Sequence, residues 1–145
     1  MPPFYRYDIL VPSEAEDMNG HVNNVEYLRW MQDAALLHAA AQGSTEATKI
    51  AGATWVVRTH RLEYFRPAFA GDSIFVLTWI ANLRRVQSLR KYKVFRPADQ
   101  ALLAEGETEW VFVDAQSGKL RSIPGEIKAL FEIVTDEKEI IAAFT

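Results

Sequence analysis

An acid, an amide and an imidazole stand at alternate positions in Asp17-Met18-Asn19-Gly20-His21, and no other segment of the chain is as well supplied for chemistry. A carboxylate can attack a carbonyl or take a proton from water, while the amide and the imidazole can donate hydrogen bonds and orient their neighbours. Gly20 lets the backbone turn sharply and approach a ligand with no side chain in the way. From Val22 the pattern becomes helical, so the free amides of a first helical turn and the positive end of its dipole belong beside these groups. Such a place can stabilise negative charge on a carbonyl oxygen. Asp17, Asn19 and Asn24 are also good turn and N-cap residues. Capping one helix uses one or two of them and needs neither His21 nor Tyr27, so the constellation as a whole reads as functional.

The elements that must position this segment follow from periodicity. Phe4 to Val11 reads as a first strand ended by Pro12, and Ser13-Glu14-Ala15-Glu16 as the loop into the motif. A helix is predicted from about Val22 to Gln42, with Asn24, Tyr27, Leu28, Met31, Ala35 and His38 inward at steps of three and four. Val25, Trp30, Ala34 and Leu37 add apolar character on other faces, which predicts an enclosed helix. Gly43 stops it, and Ser44 to Ala53 shows no strand period. Four segments rich in β-branched and aromatic residues follow as strands: Trp55 to Phe65, Ser73 to Leu83, Val86 to Arg96 and Ala101 to Val113. The short connections between them favour antiparallel pairing. Pro124 opens a short amphipathic helix to about Val134, and Asp136-Glu137-Lys138-Glu139 starts a final turn. The plan is α+β, a single domain over residues 1–145 in which a curved antiparallel sheet wraps a long central helix. Its exposed sheet edges call for a second copy, giving a homodimer and possibly a homotetramer.

Composition narrows the class. The chain has 145 residues, 49% hydrophobic and 24% charged, a balance that suits one globular domain with a proper core. No apolar run approaches the roughly 20 residues of a spanning helix, so no membrane insertion is expected. The Met1 to Arg6 segment lacks a secretory h-region, which reads as a cytoplasmic protein. There are no cysteines, and His21, His38 and His60 show no metal-ligand spacing, so no metal is called for. A net charge of -3 argues against nucleic-acid binding.

With these residues in view, the chain resembles the hot-dog-fold thioesterases, specifically the 4-hydroxybenzoyl-CoA and acyl-CoA thioesterase family, over nearly its whole length. Asp17, Gly20, His21, Val22, Asn23, Asn24 and Tyr27 match that family's D-x-x-G-H-V-N-N-x-x-Y at the start of the central helix. The same stretch is similar to the plant acyl-ACP thioesterase motif, which pairs its acid, amide and histidine with a later glutamate; Leu62-Glu63-Tyr64 fits that position. The plant enzymes carry two tandem repeats and this chain only one, and Glu14-Ala15-Glu16 replaces the aromatic or threonine that many family members carry before the aspartate. The hot-dog enoyl-CoA hydratases use D-x-N-P-x-H, but here the fourth residue is Gly20 and the histidine falls one position early.

The resemblance implies hydrolysis of an acyl-CoA or acyl-ACP thioester with no cofactor beyond the coenzyme A of the substrate. Backbone amides around Gly20 and His21 would bind the thioester oxygen, with Asn24 or the His21 ring as a further donor. Asp17 or Glu63 would supply the carboxylate. Arg84 and Arg85 sit where a basic pair meets phosphate in the benzoyl-CoA branch, and Tyr27 is a candidate wall of the acyl pocket. Alternation sets Arg90 and Arg96 on the opposite strand face from Lys91 and Lys93, and Glu105, Glu107 and Glu109 are candidate partners for Arg90 or Arg96 across the hairpin. His38 and His60 read as packing or surface residues. A hot-dog hydratase and a non-catalytic acyl-CoA binding module are the alternatives.

Overall fold

The β-branched and aromatic runs form five strands in the computed structural model, which describes residues 2–142. These are β1 (Phe4–Leu10), β2 (Ala53–Tyr64), β3 (Ser73–Leu83), β4 (Gln87–Arg96) and β5 (Ala101–Asp114). They pair antiparallel throughout in the order β1-β3-β4-β5-β2, leaving β1 and β2 at the edges. One long helix, α1 (Asn24–Ala41), lies against one face of the sheet, and the short helix α2 (Ser44–Ile50) follows it. Two further short helices, α3 (Gly125–Lys128) and α4 (Lys138–Ala142), complete the described chain.

The main core lies between α1 and the sheet, where Tyr27, Met31, Ala34 and Ala35 meet Ile74, Val76, Val94 and Leu103. Gly106 on β5 lets the helix come this close, because a Cβ there would stand 2.9 Å from Met31 Sδ and 3.1 Å from the Arg61 carbonyl oxygen. On the far face, Phe75, Leu77 and Trp79 pack under Val134 and Ile140. β3 is therefore covered on both faces, which explains its nearly unbroken apolar sequence from Ile74 to Ile80. This is the α+β hot-dog arrangement, a curved antiparallel sheet about a central helix.

Several details differ from the expectation. Asn23 caps α1, its side chain accepting from the Val25 N–H at 3.1 Å, so the helix starts two residues later than the apolar pattern predicts. α1 is also not enclosed: Val25, Leu36 and Leu37 are exposed, because one sheet covers one face of one helix. Of the predicted inward positions Asn24 is exposed and Leu28 half-buried, whereas Trp30 is buried. Ser44–Ile50 is helical where no regular element is expected, and the helix after Pro124 stops at Lys128 instead of Val134.

Candidate active site

The Asp17 segment folds as a closed turn at the entrance to α1. Asp17 Oδ1 accepts the Asn19 N–H at 2.8 Å, the Gly20 N–H donates to the Asp17 carbonyl at 3.1 Å, and the Asp17 N–H donates to the His21 carbonyl at 2.9 Å. Gly20 closes the turn at φ +81, a left-handed conformation that favours glycine, with open space where a Cβ would point. Asp17 is half-buried, and its second carboxylate oxygen has no partner among the described residues.

Two further contacts fix this turn on the body of the protein. The Asn23 N–H donates to the Ala15 carbonyl, and the Val22 N–H donates to the Ala68 carbonyl, each at 2.9 Å. Tyr27 reaches the same connection between β2 and β3, its hydroxyl accepting from the Ala68 N–H at 3.1 Å. Glu16 adds a contact from the Ala70 N–H at 3.0 Å. The connection is itself anchored by Arg96, which bonds Asp72 at 2.9 Å, the Pro67 carbonyl at 3.0 Å and Asp99 at 2.9 Å. Those bonds hold the Asp99 carboxyl below the usual carboxylate range. Glu16, Tyr64 and Arg96 escape the sequence reading as supports of the site; only the ion-pairing capacity of Arg96 is visible there. Tyr64 donates its hydroxyl to the Asn24 carbonyl at 3.0 Å and meets the Tyr27 ring edge-on at 5.3 Å.

The structure brings together Asp17, Asn19, Gly20, His21, Asn24 and Tyr27. The Gly20 amide is committed to the turn, so the N–H groups left without an acceptor among the described residues are those of Met18, within the turn, and of His21 and Asn24 at the helix start. Asn19 and Asn24 are exposed, His21 is half-buried, and the Tyr27 side chain is buried with its ring against Trp30.

Glu63 lies elsewhere. It pairs with Glu105 in register beside Leu62 and Gly106, and since Gly106 faces Met31 of α1, alternation turns Glu63 to the outer face. There it is about half exposed and stands 3.8 Å from Arg61, a loose surface pair. Within one chain it does not meet Asp17. Arg84 and Arg85 are exposed at the β3–β4 turn, where Arg85 donates to Ser122 Oγ at 3.2 Å. That turn lies toward the C-terminal half of α1, since Leu83 and Ser88 border the same cavity as Ala35 and Ala39. α1 has 18 residues and is about 27 Å long at about 1.5 Å per residue, so Asp17 before its start and the arginine pair beside its second half lie well apart in one chain.

The pairing of Arg90 or Arg96 with the β5 glutamates is overturned by strand parity. Glu105, Glu107 and Glu109 stand opposite Lys93, Lys91 and Leu89, and Lys93 takes Glu105 at 2.6 Å. Arg90 stands opposite Thr108 on the helix-facing side, fully buried, where its Nη1 donates to His38 Nδ1 at 2.9 Å and to Thr78 Oγ1 at 3.0 Å. Burial and the adjacent guanidinium push the His38 imidazole down to about 3, so the ring accepts as a neutral base. Burial likewise lowers Arg90 to about 10, which leaves it charged at neutral pH. His60 bonds Thr108 Oγ1 at 2.9 Å, in a packing role like that of His38. Among the described residues no group of three or more acidic or histidine side chains is placed to hold a metal ion, and no helix is long and apolar enough to cross a membrane.

Known proteins show the family and the fold. Residues 11–131 match the model of a family described as the thioesterase-like superfamily. The chain is 28% identical over 132 residues to the acyl-CoA thioester hydrolase YbgC of Escherichia coli O157:H7, covering 88% of this chain and 96% of that protein. Among solved structures, the probable thioesterase YbaW of Escherichia coli superposes with a TM-score of 0.80 at 20% identity, covering 87% of this chain and 95% of that one. Slr0204 of Synechocystis, a 1,4-dihydroxy-2-naphthoyl-CoA thioesterase, superposes with a TM-score of 0.79 at 19% identity, covering 88% and 94%. At those identities the two structures speak for the fold.

Proposed function

The chain belongs to the thioesterase-like superfamily and is an acyl thioester hydrolase, and from that premise we propose that Asp17 supplies the carboxylate and the start of α1 the oxyanion site. The observation that carries this reading is the Asp17–His21 turn, which leaves one carboxylate oxygen and the His21 and Asn24 amides uncommitted at one helix start. Asp17 attacks the thioester carbonyl directly or takes a proton from the attacking water; negative charge gathers on the carbonyl oxygen, and the two amides and the helix dipole stabilise it. The C–S bond then breaks. In the water route the thiolate takes the proton that Asp17 removed from the water, and the free acid is left. In the direct route the thiolate takes a proton from solvent, and a water then hydrolyses the Asp17–acyl anhydride to the free acid and the carboxylate. The imidazole of His21 and the side-chain amides of Asn19 and Asn24 orient the substrate or water at the mouth. Tyr27, tied to Ala68, forms the wall behind them. Glu63 belongs to the charge pattern of the outer face.

The active unit in this reading is a homodimer. β2 is an open edge of twelve residues that leaves Val56 and Tyr64 exposed, and α1 leaves Val25, Leu36 and Leu37 uncovered, apolar surface in need of cover. Joining two β2 edges antiparallel about a two-fold axis reverses the second helix. The Arg84–Arg85 turn of one copy then approaches the Asp17 end of the other, where it can receive the phosphates of coenzyme A or the phosphopantetheine of a carrier protein. No cofactor beyond that carried by the substrate is required.

A panel of acyl-CoA esters tests the reaction class. Free thiol is expected to be released from at least one ester, with no loss of the enoyl chromophore from an enoyl-CoA before thiol appears. Loss of the enoyl absorbance without thiol would instead make the protein a hydratase, and saturable binding with no turnover of any ester would make it a binding module.

A further inference from the structure

Beneath the C-terminal half of α1, away from the Asp17 turn of the same chain, lies a cavity of about 420 Å³. Its body is apolar, with Ala35, Ala39, Trp55, Ile80, Leu83 and Phe131 among its walls. Two cations border it, Lys49 from α2 and the buried Arg90, and no acidic residue does. The Arg90 guanidinium uses Nη1 on two neutral partners, His38 and Thr78, and its remaining donors have no acceptor among the described residues. A charge taken out of water with only neutral partners is held at a steep desolvation cost, which an anion would offset.

A second observation points the same way. The Nε1 of Trp110, another residue of the cavity wall, and the Tyr92 hydroxyl lie buried beside each other and Thr108, and neither makes a hydrogen bond of good geometry. Arg90, Trp110 and Tyr92 all face the helix side of the sheet, where the acceptors at hand are the His38 ring and neutral hydroxyls and, among the described residues, no carboxylate borders the cavity.

We propose that this cavity is a binding site for a carboxylate borne on an apolar body, the carboxylate held by Arg90 and the body packed among Ile80, Leu83, Trp55 and Phe131. Two sources share that chemistry: a free carboxylic acid, or an acyl group that carries a second carboxylate at its far end.

Octanoate and 1-octanol are matched probes, and Trp55 and Trp110 report on the cavity through their fluorescence. Octanoate is expected to bind the wild-type protein at least about tenfold more tightly than octanol, the scale of one charge-assisted hydrogen bond. Arg90→Gln should erase that preference while octanol binding stays within about twofold. Ala39→Phe, which fills the cavity without touching Arg90, should weaken both probes and serves if Arg90→Gln does not fold. An octanol affinity equal to that of octanoate in the wild-type protein, or a carboxylate preference that survives Arg90→Gln, would overturn the proposal. A kinetic arm, which rests on the thioesterase reading, separates the sources. A KM for suberoyl-CoA well below that for octanoyl-CoA, lost in Arg90→Gln, assigns the carboxylate to the acyl group; octanoate binding without that preference assigns it to the free acid. The binding arm needs no turnover, so its failure is distinct from a failure of the thioesterase reading.

Discussion

Among single residues, His38 shows how far burial changes chemistry that sequence leaves ordinary. The imidazole packs against Tyr5 and Phe131 and accepts from Arg90, and it is pushed down to about 3 by burial first and the guanidinium second. Because the folded value lies below the unfolded one of about 6.5, the unfolded chain binds the extra proton. His38 therefore makes its full contribution to stability above about pH 6.5, and loses it as pH falls toward 3 at up to roughly 1.4 kcal/mol per unit. Urea unfolding at pH 7 and pH 5 should show a loss of about 2 kcal/mol that is much reduced in His38→Gln. Parallel losses in both proteins would contradict the assignment. The sequence shows His38 on the inward stripe of the helix but not its neighbour: Arg90 is visible as a strand residue facing away from Lys91, while the acids on β5 make an ion pair the natural guess. Only the register, which sets Arg90 against Thr108, removes that guess.

At the level of elements, the contact between α1 and β5 depends on a missing side chain. Gly106→Ala would place a Cβ 2.9 Å from Met31 Sδ and 3.1 Å from the Arg61 carbonyl oxygen of β2, so the Met31 thioether must swing aside and β2 must give by a few tenths of an ångström. Overpacking of this kind costs about 1 to 3 kcal/mol, readable as a lower urea midpoint with unchanged slope. A substitution without effect would mean that the interface is looser than these distances imply. The strands are legible because β-branched and aromatic residues alternate between clear turn signals, and β3 matches its expected span from Ser73 to Leu83. α2 is not legible, since its seven residues bury only Ser44 and Thr48 and so carry no apolar stripe. After Pro124 the apolar residues do not continue one helical face: Ile127 packs with Phe112, whereas Phe131 turns to His38, and the helix ends between them. The motif at Asp17 is legible as a turn before a helix, yet its bonding is not. The sequence offers several caps, and the choice of Asn23 depends on how the Ala15 and Ala68 carbonyls take the preceding amides.

In the whole molecule, parts that must cooperate in the proposed reaction stand far apart in one chain. Asp17 precedes α1 and the Arg84–Arg85 turn lies beside its second half, and the proposed two-fold pairing of β2 edges would bring these unlike parts of two copies together. Sedimentation at assay concentrations is expected to give a dimer. Mixing Asp17→Asn with the double variant Arg84→Ala, Arg85→Ala should restore part of the lost activity, because each mixed dimer keeps one intact site. A fully active monomer would contradict the shared site. The central claim is narrower, that the Asp17 carboxylate performs the hydrolysis, and thiol release by Asp17→Asn and Glu63→Gln tests it most directly. Asn keeps an oxygen to accept the Asn19 N–H, so the turn should survive while turnover falls by about a hundredfold or more, the scale of a lost acid-base group. Glu63→Gln should stay near wild type, and an Asp17→Asn enzyme that still turns over at the wild-type rate would contradict the account.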